Sequence, residues 1–196
     1  MLYEDKLKNI HIEANDIKLG ENVTLSNNIH IKTFGKFHLG DGSHLGSNVN
    51  MKGNDIVIGK HFYYSPLNTL GLNVGGGGSD SPNSNLTVGD RCVFHNGLIN
   101  ICEPVVIGND VGLSNHVDII THGFWYSMLE GYPTEFAGVT IGNNVIVGWR
   151  STIMTGVEIS DNVVIGNNSN VVKSITKSKS IYVGNPARFI KKIEEP

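Results

Sequence analysis

Three histidines in the middle of the chain, His95, His116 and His122, are the side chains best suited to chemistry. An imidazole titrates near neutral pH, so it can take a proton from a hydroxyl or ligate a metal. His116 and His122 stand six residues apart, and His122 falls where a regular aliphatic pattern stops and an aromatic segment, GFWYSMLEGYPTEFAG over 123–138, begins. Cations gather towards the C-terminus as Lys173, Lys177, Lys179, Arg188 and Lys191; they suit phosphate binding or a solvated basic turn. Cys92 and Cys102 lack metal-type spacing and read as reduced packing groups. The glycine run at 75–78 has none of the strand, lysine and helix context of a phosphate loop.

The elements that must position these groups announce themselves by a period of six. Ile141, Val147, Ile153, Ile159, Ile165 and Val171 follow one another at six-residue steps, with Val139, Val145, Ser151, Val157, Val163 and Ser169 two residues before each. The step also runs through Leu19, Leu25 and Ile31, through Leu39, Leu45 and Met51, through Val88 and Phe94, and through Ile101, Ile107, Leu113 and Ile119. A helix would repeat near 3.6 and a simple strand at two, so six marks a hexapeptide β-helix. A short strand points the aliphatic and the small residue inward, then the chain turns, with Gly or Asn supplying positive φ. Three such sides close a triangular coil, and stacked coils bury one another's aliphatics at about 1.5–3 kcal/mol per side chain. Residues 60–85 break the period and read as a loop leaving the β-helix, 123–138 as a second excursion, and 173–196 as a tail folding back on the last coil.

At 196 residues the chain fits one domain, 1–196, and a net charge of −3 gives no basic surplus for nucleic acid. The segment MLYEDKLKNI lacks the apolar run of a signal peptide, and no stretch approaches the ~20 apolar residues of a membrane span, so a cytoplasmic location is expected.

The block VVIGNDVGLSNHVDIITH, the aromatic loop, VTIGNNVIVGWRSTIMTGVEISDNVVIGNNSNVV and the ending VGNPARFIKKI together resemble the left-handed β-helix acyltransferases. Within them the likeness is closest to the galactoside, maltose and polysaccharide O-acetyltransferase branch, strongly over 86–192 and loosely before it. The resemblance implies an all-β fold, a single-stranded left-handed parallel β-helix of hexapeptide repeats. It also implies an acetyl-CoA-dependent O-acetyltransferase working as a homotrimer, with each site between neighbouring subunits and no metal requirement. Transfer to a sugar hydroxyl of a surface polysaccharide or its precursor is the expected reaction.

By the same resemblance, His122 matches the catalytic histidine, which removes the proton of a hydroxyl too weakly nucleophilic to attack a thioester unaided. Asn96 resembles the acceptor-binding asparagine, with His95 and Glu103 as further candidates for acceptor contact or for orienting His122. For acetyl-CoA, Gly148 and Trp149 match the position that meets the thioester or pantetheine arm, Asn167 that of a usual Ala, and Val172-Lys173 that of a Thr-Lys pair. Arg188 matches the arginine of the family ending, with Lys191 three residues on, where cations suit the phosphates. Two departures stand out: Trp149 follows Gly148 where the family often has Trp just before the coil aliphatic, and His122 is followed by Gly123-Phe124 instead of Pro or a second His. Alternatives are an amine acceptor on an amino sugar, a γ-class carbonic anhydrase using His95, His116 and His122 for zinc, and a non-catalytic binding module.

Overall fold

The computed structural model describes residues 1–66, 70–76, 81–124 and 134–194. Among them the chain winds as a three-sided parallel β-solenoid built from sheets of nine, seven and nine strands. Ile29–Thr33 lies on a first face, Lys36–Leu39 on a second and His44–Leu45 on a third, after which Val49–Gly53 returns to the first face one rung on. All rungs pair in parallel except at the ends. There Leu2–Asp5 runs antiparallel to Ile10–Glu13, and Arg188–Lys192 runs antiparallel to Ser180–Val183. The tail therefore folds back on the last coil. No helix among the described residues is long and apolar enough to cross a membrane.

The six-residue pattern becomes stacked inward rows. On the first face Ile12, Ile31, Met51, Val74, Ile99, Ile119, Ile153 and Val171 pair in register, one above the next. Every one of them is buried. Each coil's aliphatics thus sit between those of two others, which no single coil could achieve.

Turn chemistry divides two jobs between neighbouring residues. At the corner between the second and third faces, Asn109 Oδ1 accepts from Asp90 N at 2.8 Å, Asn143 Oδ1 from Asn109 N at 2.9 Å, and Asp161 Oδ1 from Asn143 N at 2.6 Å. This side-chain ladder satisfies corner amides that the strands cannot reach. The next residue in each turn carries the positive φ: Asp110 at 59°, Asn144 at 54°, Asn162 at 60°. Repeat glycines before the turn serve close packing instead. A Cβ on Gly108 would lie 2.8 Å from the Gly142 carbonyl carbon and oxygen of the next coil.

Two expectations need correction. Residues 60–85 do not leave the β-helix as one loop, because Tyr63–Tyr64 and Leu72–Gly75 are ladder strands on the third and first faces. Tyr64, Leu72 and Val74 are buried, so the inward rows continue through this stretch. Ile99, not Ile101, fills the inward rung place on its coil; Ile101 lies beyond the strand end, where a Cβ on Gly53 would come within 2.7 Å of its Cδ1. Trp125, Tyr126, Met128 and Tyr132 of the aromatic segment lie outside the described residues.

Replacing Gly108 with Ala should cost about 1–3 kcal/mol, since the opposing atoms are backbone and cannot swing away. Urea denaturation measures this, and an unchanged midpoint would mean that coil spacing is not what requires glycine there.

Candidate active site

The coil is interrupted between the first-face strand Val117–Ile119 and the second-face strand Val139–Ile141. In the gap, His122–Phe124 pairs antiparallel with Thr134–Phe136, with His122 opposite Phe136. The two rings stack at 5.8 Å with planes 19° apart, Phe136 being about half exposed. Thr121, just before, is fully buried, so the histidine stands where the chain leaves the core.

One buried amide organises this point. Asn100, at the end of the first-face strand Gly97–Asn100, is 5% exposed. Its Oδ1 lies 2.6 Å from Thr121 Oγ1 and 3.1 Å from His122 Nδ1. The backbone N–H groups of Cys102 and Thr121 point at the same atom from 3.3 and 3.4 Å. An N–H can only donate, so this atom is the amide oxygen and His122 must offer it a proton from Nδ1. In the neutral ring the lone pair is then on Nε2, the arrangement a general base requires. Thr121 Oγ1 also accepts from Glu103 N at 3.2 Å, which ties the corner together. Gly76 closes over the amide: a Cβ there would be 2.5 Å from Asn100 Nδ2 and 2.8 Å from Cys102 Sγ.

The orienting group for His122 is therefore Asn100, and neither of the side chains expected from the sequence fills that place. Glu103 meets the Asn83 side-chain amide at 3.5 Å, and its backbone N–H donates to Thr121 Oγ1. His95 Nδ1 donates to the Ser65 carbonyl at 2.9 Å, at the corner between the third and first faces. Asn96, beside it, is buried, and among the described residues neither of its side-chain polar atoms has a hydrogen-bond partner. It precedes the strand that Asn100 ends, about 13 Å away at ~3.3 Å per residue. Asn100 had one sequence signal, a polar residue inside the apolar run LINIC.

The residues matched to acetyl-CoA fall on two edges. Along the third-to-first edge, Trp149 N donates to Asn167 Oδ1 at 2.9 Å, and a Cβ on Gly148 would lie 2.6 Å from that same oxygen. Arg188 continues the edge, paired across from Val183, and its side chain is exposed. Trp149 is 46% exposed and meets His116 edge-on at 6.4 Å. Val172 and Lys173 follow the strand Asn170–Val171 on the other edge, that of His122, two coils further on. Lys191 pairs with Ile181 within the third face. Lys177 Nζ sits 3.6 Å over the Phe189 ring.

Both cysteines are buried and free, and burial pushes the Cys92 thiol up. No group of three or more His, Cys, Asp or Glu among the described residues is placed to hold a metal ion.

A family model, the hexapeptide repeat of succinyl-transferase, matches residues 138–173. No curated protein matches the chain in sequence. Among solved structures, LpxA from Acinetobacter baumannii is similar with a TM-score of 0.59 and 19% identity, over 90% of this chain and 63% of that one. A hexapeptide-repeat-containing acetyltransferase from Vibrio cholerae O1 biovar eltor, complexed with acetyl coenzyme A, gives 0.52 and 16% over 94% and 73%. Galactoside acetyltransferase in complex with coenzyme A gives 0.50 and 22% over 92% and 66%. At these identities the likeness is one of fold.

Asn100→Ala should lower the unfolding free energy by about 1–3 kcal/mol, because Thr121 Oγ1 and two buried N–H groups lose their acceptor. Chemical denaturation tests it, and a wild-type midpoint would show that the amide is not what holds the corner.

Proposed function

We propose that this chain is an acetyl-CoA-dependent O-acetyltransferase that modifies a sugar hydroxyl of a surface polysaccharide or its precursor and works as a homotrimer. The observation that carries the reading is the bond from His122 Nδ1 to buried Asn100, which sets the tautomer: when the ring is neutral its lone pair is on Nε2. A base set this way removes a hydroxyl proton without needing a change of tautomer.

His122 Nε2 takes the proton of the acceptor hydroxyl as its oxygen becomes nucleophilic. Asn100 Oδ1 keeps its hydrogen bond to Nδ1–H throughout and steadies the imidazolium that forms. The same proton then passes from His122 to the departing thiolate, returning the ring to its starting state. Acetyl-CoA supplies an acetyl group already activated as a thioester. For its arm and phosphates this chain offers Gly148, Trp149, Asn167 and Arg188 on one edge and Val172 with Lys173 on the other; their exposed cations suit pyrophosphate and ribose phosphate. Solved relatives of the same fold carry coenzyme A or acetyl coenzyme A in their complexes, which supports that donor.

The division between edges supports the trimer. His122 and the Trp149–Arg188 edge stand at opposite ends of the first face. A second copy, related by rotation, brings one subunit's Trp149 edge to its neighbour's His122.

Thiol release from acetyl-CoA, followed with a panel of sugar acceptors, tests the reading. His122→Ala should reduce kcat at least about a hundredfold with acetyl-CoA affinity unchanged by calorimetry; near-normal turnover would refute the base. Arg188→Ala should raise the KM for acetyl-CoA while leaving kcat close to wild type. An unchanged KM would remove Arg188 from the donor site.

A further inference from the structure

The first face carries a groove that leads to Asn100 across the N-terminal coils. Three clefts of about 660, 120 and 380 Å³ lie end to end there. The first two share His11 and Lys32, and the last two share Asn50 and Lys52; the third ends on Leu98 and Asn100. The outward positions beneath them are in register, His11 with His30, His30 with Asn50, Asn50 with Asn73, and Asn73 with Leu98. Four rung spacings of ~4.8 Å make a track about 19 Å long, ending one coil short of His122. Gly75, paired with Asn100, keeps the floor low just before the amide.

We infer that the acceptor is one unit of an extended glycan chain that lies in this groove and delivers its hydroxyl to His122. The inference rests on the transfer reading above and deepens it. Amide and imidazole side chains both donate and accept hydrogen bonds, as sugar hydroxyls require. They recur at one rung per step, a spacing close to the rise of one sugar unit in an extended chain. Phe34, 40% exposed at the far end, offers a flat apolar surface to a sugar ring. A peptide strand is a poor occupant, because these rungs already pair with neighbours on both sides and present no open edge.

The outward positions of this face are also polar where those of the other two faces include large apolar residues. Outward positions on the third face include Tyr63, Val93 and Ile146, and on the second face Val106, each 40–46% exposed and apolar. On the first face the corresponding positions are His30, Asn50, Asn73 and Asp118, with Leu98 as the apolar exception.

The test is an array of linear oligosaccharides, mono- to octasaccharide, neutral and uronate-bearing, probed with the whole protein in the absence of acetyl-CoA. Wild type should retain tetrasaccharides and longer chains at least about tenfold more tightly than monosaccharides. The double variant Asn50→Ala with Asn73→Ala, checked for an unchanged circular dichroism spectrum, should lose that gain. His122→Ala should keep it. Equal retention of all lengths, full retention by the double variant, or capture of no glycan at all would overturn the groove. Since the array holds no acetyl donor, it reads glycan capture even where the transfer reading fails. An active enzyme that uses monosaccharides as well as long chains would keep the transfer reading and remove the groove.

Discussion

The strands of each coil in this molecule find their backbone partners in the coils on either side. That constraint sets the coil spacing, and the spacing in turn selects the residues. Gly108 has no room for a side chain, the Asn/Asp ladder through Asn109, Asn143 and Asp161 supplies the corner amides with acceptors, and the inward aliphatics stack in single rows. The result is a rigid scaffold in which any departure from the winding is conspicuous and costly, because it breaks a ladder on both sides.

The departure after Thr121 is where the chemistry gathers. The chain leaves the core there, and the buried Asn100 of the preceding coil receives Thr121, His122 and Cys102 on a single oxygen. A buried amide used this way would be expensive if half satisfied, so its burial and its position are explained together. The rigid ladder fixes Asn100, and Asn100 holds the imidazole at the edge between the first and second faces.

Much of the architecture was legible because a solenoid writes itself in one dimension. Val139 to Val171 predicts the rungs directly, and the end of the pattern at His122 marks the interruption. Leu72–Gly75 was hidden because its rung runs straight into glycines and a polar run, so its local composition reads as loop although its neighbours Met51 and Ile99 demand a strand there. Asn100 was hidden for another reason. Its role depends on a contact between coils, 22 residues apart in sequence, and an isolated asparagine in an apolar run carries no sign of which side chain it will meet. Asn96 lies buried at the other end of Asn100's strand, on the edge that carries Trp149.

The central claim is that Asn100 holds the His122 imidazole with its proton on Nδ1 and its lone pair on Nε2. Nitrogen-15 NMR of histidine-labelled protein above the ring's titration reads this directly. The account predicts for His122 a protonated, pyrrole-like Nδ1 and a pyridine-like Nε2, held without averaging. A proton found on Nε2, or two nitrogens averaged between tautomers as in free histidine, would contradict it.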